Sequence, residues 1–569
     1  MSSNLSKRWH ISALITPEAN EALAAFSPIL RQVLFNRGYA TDAEARSYLR
    51  GEVNFDTSPF QMNGISVTVE RLRFALDHLE PIAIYGDYDV DGVTATALLV
   101  QALHSLGGNV THYIPNRFEE GYGLNTEALT NLQAEGIKLV ISVDCGIRSL
   151  DEAVHAKKIG LDLIISDHHQ PAGGDLPPAL AVVNPKQAGD LYPDKDLAGV
   201  GVAYKIVQAL LESIGNSTGA FKSEDLLDLV ALGTVADLAP LTGENRILVR
   251  KGLQKLRETK RQGLFSLAAV SDLPLSRITA VSIGFILGPR LNAAGRLESA
   301  KVAFELLTTT DVKTAGELAQ QLNMQNRQRQ EITRKIQMEA EEIALAEDPD
   351  ADLFFAVHPD FNAGVVGLAA SRLVETYYRP AVVGQISTET TRCSCRSIPE
   401  FHITEALDLC KDILIRHGGH AAAAGFTVRN ENVDELKRRL KLLAMETLRG
   451  KDLRQTLTAD IELPLSDLKP ELLHHLEYLQ PTGYGNPEAV FVSRNVRVTN
   501  RRTVGVEKKH LKLNVTDGRV TFDAIGFRLG HLLHELPLFV DVLYTFESNE
   551  FNGRQSMQLN LKDVRPSAQ

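Results

Sequence analysis

Cysteine is scarce: four in 569 residues, at Cys145, Cys393, Cys395 and Cys410. So few cannot supply a disulfide framework for a chain this long. Cys393 and Cys395 stand one residue apart with no second pair, which argues against a zinc site. They read as reduced thiols. Nowhere do about 18 apolar residues run together, so no membrane span is expected. The opening string MSSNLSKRWHISALITPEANEAL lacks the apolar core of a signal peptide. These absences point to a cytoplasmic protein. Positive charge is also in deficit, with 60 Lys+Arg against 71 Asp+Glu and a net of −11. A globally basic binder is excluded; a local basic groove is not.

What is present is ordinary globular composition, 44% hydrophobic and 23% charged. At roughly 150 residues per domain the length suggests about three or four domains. Residues 1–75 read as a mixed helical and loop region, with a short helix over Asp42–Arg50. Residues 76–314 alternate apolar runs (PIAIYG, KLVISV, LDLIIS) with helical segments such as Ser149–Lys158, the pattern of a parallel sheet covered on both faces. The run from Leu226 to Leu241 reads as helical. Residues 315–348 are rich in Gln, Glu and Arg at helical spacing, with no Gly or Pro from Glu317 onward, and predict a long connecting helix. A second α/β stretch covers 349–452, closing with a helix over Asp434–Leu448. From 453 to 569 several short alternating strands suggest a small barrel of OB type.

Asp87, Asp89 and Asp91 form DYDVDG directly after an apolar strand, so the carboxylates crowd together and call for a cation. The string also begins a calcium-binding EF-hand loop. Counted from Asp87, however, position 12 is Leu98 where that loop needs Glu, and the reading fails. Asp144 ends the next strand, Asp167, His168 and His169 end the one after, and Asp237 closes the fourth apolar run. In a parallel sheet such ends gather on one edge. A carboxylate-rich set with imidazole and no thiolate favours Mn²⁺ or Mg²⁺, with room for two ions and two-metal phosphoester chemistry.

At DYDVDG, VDCG, SDHHQP and GTVADL the sequence resembles the DHH phosphoesterase family. LGPRLNAAGR, HPDFNAGVVG, SCRSIP and GGHAAAAGF resemble the later elements of its single-strand-specific 5′→3′ exonuclease branch, so the likeness spans roughly residues 80–430. The resemblance implies two α/β lobes, a DHH domain and its associated domain, followed by an OB-like barrel. It implies metal ligands at Asp87, Asp89, Asp144, His168 and Asp237, and catalytic roles for Asp89, Asp91 and His169. Tyr85 departs from the pattern, standing where many relatives carry a histidine ligand, which would weaken one ion site. Ser394, Arg396, Gly419 and His420 match residues that hold substrate phosphates, with Arg117 and Arg296 as further contacts.

Asn292 has two open readings, a substrate contact or a loop anchor. His358 reads as a strand-end loop residue. Arg327, Arg329, Arg334 and Lys335 read mainly as surface i,i+4 pairing on the connecting helix, with a cleft lining as the alternative. The window 494–519 holds eight basic residues, among them Arg501, Arg502, Lys508 and Lys509, against two acids. It is a single-strand track or the charged outside of a barrel. The expected activity is metal-dependent hydrolysis of single-stranded DNA to 5′-mononucleotides in recombination and repair. Expected partners are single-stranded DNA, single-strand-binding protein and other repair proteins. Rival readings are a phosphodiesterase of nanoRNA or cyclic dinucleotides and a non-catalytic replication scaffold on the same fold.

Overall fold

The computed structural model describes residues 7–51, 57–215, 221–551 and 554–567. Its first strand, β1 (Arg8–Ile11), pairs in parallel with β12 (Thr456–Ala459), more than 400 residues away. Leu23, Leu30, Val33, Leu34 and Tyr48 then sink into the core of the C-terminal barrel. Residues 8–49 therefore pack with the end of the chain, whereas the Ile65–Asp77 helix packs on a five-stranded parallel sheet.

That sheet consists of β2 (Ile82–Gly86), β3 (Val110–Tyr113), β4 (Leu139–Val143), β5 (Asp162–Ser166) and β6 (Ala181–Val183), all parallel, in the order β3-β2-β4-β5-β6. Every residue of β2 and β4 is buried, as expected when helices cover both faces. Alternation sorts their side chains. Ile82, Ile84 and Ile141 face the Val90–Ser105, Gly199–Ile214 and Leu227–Ala236 helices. Ala83, Tyr85 and Val140 face the Thr126–Ala134 and Leu150–Lys158 helices. From β2 the chain goes to one side of the sheet and from β4 to the other, which opens a crevice at the carboxyl ends of these two neighbours.

The Asp42–Arg50 helix falls where the sequence predicts it, with a capping box at Thr41 and Glu44. The connecting helix runs over Val312–Glu347, 36 residues. Ala319 and Leu322 belong to the catalytic core and Ile336, Ala340 and Ala344 to that of the second lobe, so one rigid rod spaces the two. The second lobe carries β7 (Phe354–His358), β8 (Ala381–Ile386), β9 (Thr390–Arg396), β10 (Leu414–His420) and β11 (Ala423–Arg429) in the order β10-β11-β9-β8-β7, with only β7 and β8 parallel.

The C-terminal region adds β13 (Ile461–Glu462), β14 (Phe491–Val504), β15 (His510–Thr516), β16 (Thr521–Gly526), β17 (Phe539–Phe551) and β18 (Arg554–Pro566). Because β14 pairs with both β15 and β17, five of these strands close into a barrel. Its strands are not uniformly short: β14 has 14 residues and β17 and β18 have 13 each. Register shifts let β14 bend, so one long strand can serve two neighbours.

Candidate active site

Strand ends build the site. After β2 the chain passes Asp87 and turns at Asp89 into the Val90–Ser105 helix, where Asp89 Oδ1 accepts the amides of Asp91 (2.9 Å) and Gly92 (3.1 Å). Asp144 follows β4 with a left-handed backbone, φ 61°. Asp167, His168 and His169 follow β5. Asp237 instead caps the Leu227–Ala236 helix. His168 Nε2 lies 3.1 Å from Asp144 Oδ1, 3.7 Å from Asp237 Oδ2 and 3.9 Å from Asp91 Oδ2. Ligand atoms of Asp87, Asp89 and Asp144 lie within 4.8 Å of one another. So do those of Asp144, His168 and His169, and those of Asp91, His168 and Asp237. Asp144 and His168 each belong to two groups.

Asp87 Oδ1, Asp144 Oδ1 and His168 Nε2 are buried without a hydrogen-bond partner. An orphaned polar atom inside a protein is costly, and three converging on one crevice fit a cation. The electrostatics agree. Burial, reinforced by Asp89, pushes Asp87 well above the carboxylate range, and burial with Asp91 and Asp89 does the same to Asp144. Burial and Asp91 raise Asp237 to about 9. Burial and the neighbouring His169 push His168 down to about 3, leaving a neutral imidazole with a free lone pair. Acids that would otherwise hold protons, beside a neutral imidazole, form a donor set that exchanges protons for metal.

Asp91, expected among the catalytic groups, also serves the fold. Its two oxygens accept the amides of Gly199 (2.7 Å) and Val200 (2.9 Å), the start of the Gly199–Ile214 helix. A Cβ at Gly199 would stand 2.7 Å from Asp144 Oδ1, so only glycine lets that helix approach. Asp91 thus anchors that helix, while its carboxylate still belongs to the group with His168 and Asp237. Tyr85 turns away from the acids: its hydroxyl donates to the Gly123 carbonyl (3.0 Å) and accepts from Asn125 (3.2 Å), within the apolar cluster on the other sheet face.

Asp167 is the residue sequence reasoning quoted without giving it a role. Its Oδ1 accepts the amides of His168 (2.7 Å) and His169 (3.0 Å) and Nδ1 of His169 (2.8 Å), and its Oδ2 accepts the amide of Ile147 (2.9 Å). Burial opposes its charge, but the bond and charge of His169 outweigh it and hold the carboxyl below its ordinary range. Burial likewise opposes charge on His169, and the Asp167 bond, with Asp89 and Asp87, outweighs it and raises the imidazole. With Nδ1 engaged, Nε2 of His169 is left for substrate. Asn292 Oδ1 accepts the amide of Val90 (3.2 Å), which favours the anchor reading. His358 closes β7 and accepts the amide of Asp360 (3.2 Å) in the turn that follows.

Arginines crowd beside the acids. Arg117 stacks 4.0 Å over the ring of Tyr88. Arg296 reaches into the second lobe and donates to the Gly364 carbonyl (3.2 Å). Burial, with Arg117 and Arg329 nearby, lowers Arg296 to about 10. Arg329 donates to Asn326 Oδ1 (2.8 Å) on its own helix, and Lys335 lies 3.7 Å from Glu339, as local pairing predicts. Ser394 and Arg396 converge on the first turn of the Val366–Tyr377 helix, where a Cβ at Gly367 would lie 3.2 Å from Arg396 Nη2 and 3.4 Å from Ser394 Oγ. His420 shares a cross-strand row with Ala423 and Arg396, and Gly419 precedes it in the next row. Serine, guanidinium and a helix N-terminus make an anion site.

Four of the eight bases in the barrel's window are occupied internally. Arg494 bonds Glu462 (2.7 Å) and Asp541 (3.0 Å), Arg501 donates to the Leu536 carbonyl (2.6 Å), and Lys512 bonds Gln558 (2.8 Å). Lys509 pairs with Glu507. Among the described residues, Arg502 and Lys508 have no carboxylate partner.

Comparison with known proteins agrees with this architecture. The DHH family N-terminal domain matches residues 81–234, the DHHA1 domain 350–446 and the RecJ OB domain 459–563. The chain is 38% identical over 545 residues to the single-stranded-DNA-specific exonuclease RecJ of Bacillus subtilis (strain 168), covering 95% of this chain and 68% of that one. It is 37% identical over 561 residues to the enzyme of the same name from Dickeya dadantii (strain 3937), covering 95% and 96%. The crystal structure of RecJ in complex with Mn²⁺ from Thermus thermophilus superposes with a TM-score of 0.84 at 30% identity, covering 98% of this chain and 79% of that one. With DHH, DHHA1 and OB modules in the same order and over nearly its whole length, the chain belongs to the RecJ family.

Proposed function

We propose that this chain is a metal-dependent exonuclease that hydrolyses single-stranded DNA in the 5′→3′ direction to 5′-mononucleotides. The observation that carries the reading is the convergence of Asp87 Oδ1, Asp144 Oδ1 and His168 Nε2 as buried, unpartnered donors at the β2/β4 crevice. Asp87, Asp89, Asp144, His168 and Asp237 would hold Mn²⁺ or Mg²⁺, with Asp144 shared between two ions. When bound, such ions lower the pKa of water and offset charge on the phosphate oxygens.

The protein's own groups do the rest. Asp167 fixes the tautomer of His169, so that Nε2 faces substrate and can hold or deliver a proton at the leaving oxygen. Ser394, Arg396 and His420 take a terminal phosphate, and Arg117 and Arg296 bridge from it toward the acids. Positioning the end of the strand there sets polarity without reading sequence. The Arg296–Gly364 bond ties the two lobes together beside the acids, and a passage held narrow there would disfavour a duplex.

Substrate is therefore single-stranded DNA; single-strand-binding protein and other repair proteins are the partners that fit an enzyme of recombination and repair. A cytoplasmic location agrees with four free cysteines. Among the described residues no helix is long and apolar enough to cross a membrane. A manganese titration on end-labelled single strand, duplex and dinucleotide tests the reading. Degradation of single strand from its 5′ end is expected. Preferential cleavage of dinucleotides would favour a small-nucleotide phosphodiesterase, and no hydrolysis at any metal concentration would favour a scaffold.

A further inference from the structure

Four of the proposed ligands sit at or just beyond strand ends, where the sheet fixes them. Asp237 does not. It closes a helix, and the next residue, Leu238, takes a left-handed backbone (φ 61°) before the chain leaves through Ala239, Pro240 and Leu241. What holds that exit belongs to the far end of the sequence. The Leu241 amide donates to the Tyr484 carbonyl (2.7 Å). Gly485 (φ 74°) lies so close that a Cβ there would stand 3.0 Å from Pro240 Cβ, and one at Gly483 would stand 2.7 Å from Leu241 Cδ1.

The turn is itself gripped from both sides. Arg246, 2% exposed, donates to the Tyr478 (2.9 Å) and Gln480 (3.2 Å) carbonyls and to that of Tyr48 (2.6 Å). Tyr48 in turn donates to Asn486 Oδ1 (2.8 Å), whose amide nitrogen bonds the Leu479 and Pro481 carbonyls. Asn245, next to Arg246, donates to the Pro240 carbonyl (3.1 Å).

We propose that the turn over residues 482–486, leading into the barrel, is a positioning element for catalysis, which fixes the segment after Asp237 and thereby the Asp237 carboxylate against His168. The inference rests on the exonuclease reading above. It gives the C-terminal region a second task, independent of holding DNA.

The test compares the full-length wild type with Gly485→Ala, Gly483→Ala and Gly518→Ala. Gly518 has φ 91° and nothing within 4 Å of a Cβ, so it shares the backbone cost at Gly485 without the push on Pro240. Mn²⁺ affinity is measured by calorimetry, kcat and KM on a 5′-phosphorylated single strand, and folding by thermal melting. Gly485→Ala should weaken Mn²⁺ binding and lower kcat by ~10-fold, the low end for an indirect ligand support. KM for the strand should not move. Gly483→Ala should follow in the same direction with a smaller change, and Gly518→Ala should match wild type in affinity and rate.

Wild-type Mn²⁺ affinity and kcat in Gly485→Ala would overturn the proposal, as would a change confined to KM. If Gly485→Ala does not fold, Gly483→Ala is judged by the same criteria. A wild type that binds Mn²⁺ but leaves single strands intact refutes the exonuclease reading instead, and the Mn²⁺ affinities still decide the positioning role.

Discussion

The carboxyl edge of the catalytic sheet and the basic stretch of the barrel are both dense in charge, and they dispose of it in opposite ways. At the sheet edge, acids are brought together and buried with Asp87 Oδ1, Asp144 Oδ1 and His168 Nε2 left without partners, so that the acids hold protons until a cation takes their place. In the barrel, charges of opposite sign are brought together, and Arg494, Lys509 and Lys512 pair with Glu462, Asp541, Glu507 and Asp523. The difference teaches that a cluster becomes a site through what the fold withholds from it. Eight bases in a window of sequence do not make eight contacts available to DNA, whereas three orphaned atoms at the strand ends make a demand that the protein alone cannot meet.

The strongest test of this contrast is at Asp144, shared by two ligand groups. Asp144→Asn should cut hydrolysis by ~10³-fold or more, about 4 kcal/mol of barrier, because a metal site supplies several kcal/mol to the transition state. Single-strand affinity should stay close to wild type. Single-turnover rates above a tenth of wild type would remove Asp144 from the centre of the site.

A pH series comes next. Asp91 at about 7 and Asp237 at about 9 hold protons in the folded state that they lose near pH 4 when unfolded, so the metal-free protein should lose stability as pH rises between those limits. His168, pushed down to about 3, works the other way, but only below its unfolded value of about 6.5. From about pH 6.5 to 9 the melting temperature of the metal-free protein should therefore fall, and Mn²⁺ should restore more at pH 8.5 than at pH 6.5. Equal Mn²⁺ gains at both pH values would show that the acids do not exchange protons for metal.

The smallest effect belongs to the barrel. Replacing Arg502 and Lys508 together by Gln should flatten the slope of log affinity against log salt by ~1.4, at about 0.7 per phosphate contact on single strands. Replacing Arg494 and Lys512 should leave the slope unchanged and lower the melting temperature. Equal slopes for the two double variants would erase the distinction between available and committed charge.

Much of the catalytic sheet was legible in the chain. Continuous apolar runs ending in acids define buried parallel strands, and DxDxDG, the DHH triplet and the terminal alternation mark the lobes and the barrel in order. The connecting helix was legible because no Gly or Pro interrupts it beyond Gly316. Less legible were roles that depend on what approaches from elsewhere. Asp91 reads only as a catalytic group until Gly199 and Val200 present their amides and show that it also anchors a helix. Asp167 reads as part of a motif until His169 Nδ1 turns to it.

The sequence by itself determined the strands, the acids that follow them and the net charge of −11, which misleads as to partners when taken as a sum, since these follow from local periodicity and residue chemistry. Only the tertiary structure decided which charges are neutralised internally, which donors stay orphaned, and that a turn far downstream, over residues 482–486, holds the backbone after Asp237. Those outcomes depend on distances across the chain, and a hydrogen bond such as Leu241 to Tyr484 has no signature in either segment alone.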